Sequence, residues 1–246
     1  MVKRNIVLLF ACMAVAGSMS AQVRPGLKMG YNLGGVIADY AGVGAKNPYN
    51  LSDPDNFHMK SGFQAGLIAD CPISDALAIQ PGARFSMQGF VDKYQSGASS
   101  GPEVIRKFSF FYLQVPVYAQ YRLNIAEETN LLFQAGPYAG IGLFGRQSIT
   151  TSRNTTLSDD NKKITFGYGK DKDIYNAFDY GVSAGVGIEF VRFQLLLAYD
   201  FGLNKMNFDK PKAGSGPYNV QMNNHNFSIT LAVIFGRRDP LQNKTD

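Results

Sequence analysis

The sequence predicts an all-β fold, an eight-stranded antiparallel up-and-down transmembrane β-barrel. Three observations carry that reading: a two-residue apolar alternation, connections that alternate in length, and a start that resembles an export signal. The alternation is clearest over Phe178–Phe190. Phe178, Tyr180, Val182, Ala184, Val186, Ile188 and Phe190 are interleaved with Asp179, Gly181, Ser183, Gly185, Gly187 and Glu189. From Phe193 the apolar set moves to odd positions, Phe193, Leu195, Leu197, Tyr199, Phe201 and Leu203, which marks a turn at Val191-Arg192. A strand sends alternate side chains to opposite faces, so each run has one greasy face and one polar or very small face. Helical spacing would scatter Asp179, Glu189 and Asp200 through the apolar face.

Composition agrees. The 246 residues suit one barrel-sized domain, with 26 Gly, 18 Phe and 13 Tyr, and only 17% charged residues. A mean hydropathy of -0.12 fits a barrel that spends half of each strand on polar interior positions. Trp is absent, so Tyr and Phe must supply any aromatic girdle. Residues 1–21 read as a cleaved signal peptide, with Lys3 and Arg4 ahead of the apolar core Ile6 to Gly17 and a small-residue site at Ser18-Met19-Ser20-Ala21. The core is short of the ~20 residues of a spanning helix. Lipoprotein processing at Cys12 would leave too brief an apolar stretch. Without Lys3 and Arg4, the 24 basic residues fall to 22 against 19 acidic, a net +3 that gives no argument for nucleic acid. Cys71 is then the remaining thiol, so no internal disulfide is expected.

Eight runs follow in order. Leu27–Val36 places Leu27, Met29, Tyr31 and Leu33 opposite Lys28, Gly30, Asn32 and Gly34. After a polar stretch, Asp39–Met59, comes Gly62–Asp70 with Asp70 inward, then the turn Pro72-Ile73-Ser74-Asp75. Leu77–Phe90 turns Gln80, Arg84, Ser86 and Gln88 inward. The loop Tyr94–Arg106 leads to Phe108–Arg122, with Gln114, Tyr118, Gln120 and Arg122 inward, and a short link joins it to the irregular run Leu131–Phe144. A long polar segment, Gln147–Asp173, precedes Phe178–Phe190 and Phe193–Leu203. Lys205–Asn224 precedes Phe227–Phe235. The barrel domain is therefore 22–236, with 237–246 a polar periplasmic tail.

Long and short connections alternate, as in barrels with short periplasmic turns and long extracellular loops. The expected location is the outer membrane of a Gram-negative bacterium, with outer-membrane lipid as the surrounding partner. A soluble sandwich or lipocalin-like barrel would reverse the faces, apolar within and polar without. Pro81, Pro116 and Pro137 fall inside strands, where each removes a ladder hydrogen bond, and are read as bulges. Val191-Arg192 suits a two-residue primed turn poorly, so a four-residue turn over Phe190–Phe193 is the alternative.

Several stretches taken together resemble the PorT-like outer-membrane β-barrel proteins of Bacteroidetes. They are Ser74-Asp75 with Leu77-Ala78-Ile79-Gln80-Pro81-Gly82, then Tyr112-Leu113-Gln114-Val115-Pro116 and Gly136-Pro137-Tyr138. Phe178-Asp179-Tyr180-Gly181, Gly185 to Phe190 and Tyr199-Asp200-Phe201-Gly202-Leu203 complete the set, which spans nearly the whole mature chain. Gly82-Ala83 and Phe85-Ser86 depart from the Glu-Leu and Tyr-Ser pairs usual there. The resemblance implies fold and location and accounts for Pro116 and Pro137. The link of one member to secretion does not transfer with it.

The candidate site is an interior charge network of Lys28, Asp70, Arg84, Arg122, Asp179, Glu189, Arg192 and Asp200, with Arg192 at a strand end. Lone buried charges are costly, so opposite signs should pair. Eight strands leave almost no lumen, which favours a closed plug over an ion path. Arg122 and Glu189 are expected near the periplasmic end, alongside Gln80, Gln114, Gln134 and Gln194 in the interior. His58 and His225 are isolated and lack carboxylate partners in sequence, so no catalytic site, metal or cofactor is expected. The expected role is structural or accessory, with protein partners meeting the extracellular loops Asp39–Met59 and Gln147–Asp173. The alternatives are a small pore or ligand-binding barrel and, further off, a lipid-modifying enzyme.

Overall fold

The computed structural model describes residues 23–40, 57–95, 102–152, 158–167, 175–206 and 220–236. The expected signal segment, the expected polar tail and most residues of the expected long loops lie outside these. The described residues form nine antiparallel strands: β1 (Arg24–Tyr40), β2 (Phe57–Pro72), β3 (Leu77–Gln95), β4 (Glu103–Ala126), β5 (Thr129–Ser152), β6 (Ser158–Ile164), β7 (Phe178–Phe190), β8 (Phe193–Lys205) and β9 (Val220–Ile234). Eight of them close a ring in the order β1-β2-β3-β4-β5-β7-β8-β9, with β1 and β9 paired from Gly26↔Ile234 to Tyr40↔Val220. Closure leaves no strand edge within the ring, and only closed sheets satisfy the backbone in hydrocarbon. No helix of the described residues is long and apolar enough to cross a membrane.

The outer wall is apolar and the interior polar. On β8 the outward residues Leu195, Leu197 and Leu203 are exposed, while the inward Gln194, Asp200 and Asn204 are buried. A soluble barrel would have the reverse arrangement. The cost of exposed Leu, Phe and Ile is removed only if lipid covers that face.

The strands run further than the sequence pattern indicates. β4 and β5 have 24 residues each, about 80 Å at roughly 3.4 Å per residue, whereas a tilted crossing needs about 9–11 residues. Their far halves stand beyond the membrane. β5 changes neighbour on the way: Thr129–Ile141 pairs with β7, and Gly145–Thr151 pairs with β6. Much of the expected loop Gln147–Asp173 is thus a β5–β6 hairpin. An extra residue near Leu143, between the pairs Tyr112↔Gly142 and Phe111↔Phe144, resets the inward parity of β5. That bulge is why the run over Leu131–Phe144 reads as irregular.

One expectation is corrected, and one alternative is set aside. The prolines are not bulges. The register is the same on both sides of the interruptions, as in Ile68↔Gly82 and Cys71↔Ile79, Pro81↔Val117 and Arg84↔Gln114, and Pro116↔Tyr138 and Ala119↔Ala135. A proline lacks a donor but tolerates extended backbone, so the strand forgoes a bond and keeps its count. The turn at Val191-Arg192 is also the tight one, since Phe190 and Phe193 are direct partners. Val191 accepts a φ of 55° to make it, and its N–H donates to the Glu128 carbonyl at 3.1 Å in the neighbouring turn.

The barrel interior as candidate functional site

Inward-facing residues fill the lumen in three layers. At the short-turn end, Asp70 on β2 accepts from Arg24 Nε at 3.1 Å and from Arg122 Nη2 at 2.7 Å. Arg122 Nε donates to both oxygens of Glu189 at 3.1 and 3.3 Å. Glu189 also accepts from Asn130 Nδ2 at 3.1 Å and Gln194 Nε2 at 2.6 Å. Arg122 and Asp70 are almost wholly buried, so each charge here is balanced by a direct partner in a dry environment.

The middle layer spans the full width of the barrel. Arg84 on β3 donates through Nη2 to Asp200 on β8 at 2.8 Å, and these strands stand on opposite sides of the eight-stranded ring. Its remaining donors reach Gln114 Oε1 at 2.9 Å and Gln64 Oε1 at 3.2 Å. A second contact crosses the whole diameter, from Asn224 Nδ2 on β9 to the Tyr112 hydroxyl on β4 at 3.3 Å. Asp179 is held by amides, accepting from Gln114 Nε2 at 2.8 Å and Asn224 Nδ2 at 3.2 Å. Lys28 places its ammonium 5.5 Å from the Tyr118 ring centre, beside a void lined by Gln64, Gln80, Arg84 and Pro116. Neither Lys28 nor Asp179 forms an ion pair among the described residues.

The third layer, towards the long loops, is apolar. Phe90, Phe108, Phe110 and Tyr112 of β3 and β4 gather with Val36, Ile164, Met206 and Met222. Phe90 stacks on Phe108 with ring centres 4.6 Å apart. Phe166 and Tyr175, from the connection after β6, fold into this cluster and meet Phe110 at 5.9 and 5.0 Å. Gly142 makes this possible, because a Cβ there would lie 2.5 Å from the Phe166 ring. Above the cluster Arg106 stands 3.9 Å from Asp92 and over the Tyr94 ring.

Of the residues singled out in the sequence, the structure groups Asp70, Arg122 and Glu189 in one layer, and Lys28, Arg84, Asp179 and Asp200 in another. Arg192 is the correction: it is exposed in the turn, where strand alternation has stopped and nothing directs the side chain inward. Its carbonyl accepts from Ile234 N–H at 2.9 Å. Sequence reading missed Arg24, Asp92, Arg106 and the aromatic layer. The three charged residues continue the inward parity of their strands, so longer runs would have included them.

His58 is exposed on β2. His225 faces outward from β9 against Gly35, where a Cβ would fall 2.4 Å from the imidazole, with its ring 6.0 Å from that of Tyr199. Among the described residues no group of three His, Cys, Asp or Glu could hold a metal. Cys71 is half-buried at the end of β2.

The chain is similar in fold to several solved barrels at low identity. Ail, the attachment invasion locus protein of Yersinia pestis, matches at 13% identity and a TM-score of 0.36, covering 88% of this chain and 100% of its own. Neisserial surface protein A matches at 12% identity and a TM-score of 0.37, covering 86% and 97% respectively. The outer membrane protein OprG of Pseudomonas aeruginosa matches at 8% identity and a TM-score of 0.45, covering 88% and 98%. No curated protein matches the chain. The model of the outer membrane protein beta-barrel domain matches residues 18–207, and with that match and the apolar outer wall, this chain belongs to that family and is a protein of the outer membrane.

Proposed function

We propose that the protein is a closed, non-conducting barrel that serves as a rigid mount for extracellular contacts with protein partners in the envelope. The observation that carries this reading is the pair of side-chain contacts across the full diameter, Arg84 to Asp200 and Tyr112 to Asn224. Any ion passing along the axis would have to break both. Outer-membrane barrels keep short turns in the periplasm and long loops outside, so the β5–β6 hairpin projects extracellularly. Function on such scaffolds concentrates in projecting segments held by a rigid frame. The stretches that resemble PorT-like barrels fit an accessory role of this kind, with a link to secretion as one form of it.

Two measurements test the proposal. The protein inserted in planar bilayers should give no steady current; stable channels would overturn the closed lumen and favour a pore. The second measurement uses a variant in which Asn-Gly replaces Ser148–Asn161, which shortens the hairpin and keeps Ile164 and Phe166 in the core. It should still migrate faster on a gel before boiling, and should lose envelope proteins that cross-link to the native chain in cells. Retention of the same cross-linked partners would remove the hairpin from the mechanism.

A further inference from the structure

On the outer wall, Phe63, Phe85, Phe111 and Phe144 form one row across β2 to β5, with successive ring centres 6.0, 5.8 and 4.4 Å apart. Aromatic rows of this kind sit at the membrane interface. Two residues further out along β4 and β5, about 7 Å at the strand rise, Ser109 pairs with Arg146. Arg146 also pairs directly with Lys163 of β6. One step beyond, Lys107 pairs with Ser148. Alternation turns Lys107, Arg146 and Lys163 outward, and all three are exposed. Lys93 on β3 faces the same way, and the charge of Lys107 bears on Lys60 at the β2 bulge.

This arrangement is unfavourable by itself. Like charges directly opposite on paired strands repel, as Arg146 and Lys163 must, and none of Lys107, Arg146 and Lys163 has an ion-pair partner among the described residues. The carboxylate described on this face of β4, that of Glu103, belongs to a residue paired with Ser152 near the hairpin tip, farther from the membrane. Among the described residues the opposite wall has no such cluster: its outward residues at the same end of β7, β9 and β1 include Phe178, Tyr180, His225, Phe227 and Ile37, and β8 adds one lysine, Lys205. The cations are therefore concentrated on one side, at headgroup height, with hydroxyls of Ser109 and Ser148 between them.

We propose that the outward face of β4, β5 and β6 is a binding site for the phosphate groups of an anionic glycolipid of the outer leaflet. The apolar wall below holds the acyl chains, Arg146 and Lys163 flank one phosphate, and Lys107 reaches it diagonally from β4. An anion there would relieve the cation repulsion and leave the lipid attached to one side of the barrel. The proposal is independent of whether the lumen is closed.

The test is native mass spectrometry of the folded full chain in detergent, with lipid A bearing two phosphates, the same lipid dephosphorylated, and inorganic phosphate as competitor. A cation near an anionic surface contributes roughly a fivefold gain in affinity. The phosphorylated lipid should thus be retained over the dephosphorylated form by at least about tenfold. The variant K107Q/R146Q/K163Q should lose most of that preference, and K205Q on β8 should keep it. If the triple variant fails to fold, R146Q and K163Q are measured singly, each expected to weaken binding roughly fivefold. Equal retention of the two lipids, an equal loss in K205Q, unchanged binding in the lysine and arginine variants, or full displacement by inorganic phosphate would each overturn the proposal.

Discussion

Replacing Asp70 by Asn keeps the shape of a fully buried side chain and removes its charge. Arg122 would keep Glu189 at 3.1 Å, but Arg24 would lose its ion pair and stand as a buried cation without a counter-charge. Orphaning one partner of a buried pair costs about 3–5 kcal/mol, which lowers the folded-to-unfolded ratio roughly a hundredfold to a few thousandfold. Glu189→Gln is the milder change. Arg122 retains Asp70 at 2.7 Å, and the loss is that of charge-assisted hydrogen bonds, about 1.5–3 kcal/mol. The expected order of damage is therefore D70N, then E189Q. Adding Arg24→Met to D70N removes the orphan and should recover at least about half of the lost stability. With no Trp in the chain, urea unfolding in lipid vesicles is followed by far-ultraviolet circular dichroism and by the gel shift on boiling. A D70N loss no larger than that of E189Q, or no recovery in the double variant, would refute the argument that Asp70 is the hub of the lower layer.

Three further outcomes are expected. Leu197→Arg, near the middle of the outward face of β8, should weaken folding into vesicles by about 2–4 kcal/mol, and Phe193→Arg at the strand end by about 0–1 kcal/mol; equal effects would contradict a lipid-covered wall. Val191→Asn should raise the unfolding free energy by about 1 kcal/mol, because Asn tolerates the positive φ that a β-branched residue resists, and a lower value would show that Val191 packing outweighs the strain. Phe110→Ala should cost about 3–5 kcal/mol through the cavity left in the aromatic layer and still give no current in planar bilayers, since the ion-paired layers beneath are intact; channel opening would make the aromatic layer the seal.

The alternation of Phe, Leu and Tyr with Gly, Asp and Gln was enough to identify strands, their inward faces and closure into a membrane barrel. A period of two is a local property, and the solvent on each face dictates which residue type recurs. The same parity turned Arg84, Arg122, Glu189 and Asp200 inward. Parity cannot say which of them meet. That Arg84 reaches Asp200 four strands away, or that Asp70 serves two arginines, depends on the stagger around the ring. No neighbouring residues in the chain encode that stagger. The aromatic layer was hidden for a different reason: Phe90 and Phe108 looked like the edges of greasy runs, and only closure of the barrel placed them inside. Arg192 failed because a turn ends the alternation on which its placement depended. The basic face of Lys107, Arg146 and Lys163 comes from three strands and a register set by the Leu143 bulge, so tertiary pairing alone brings those charges together.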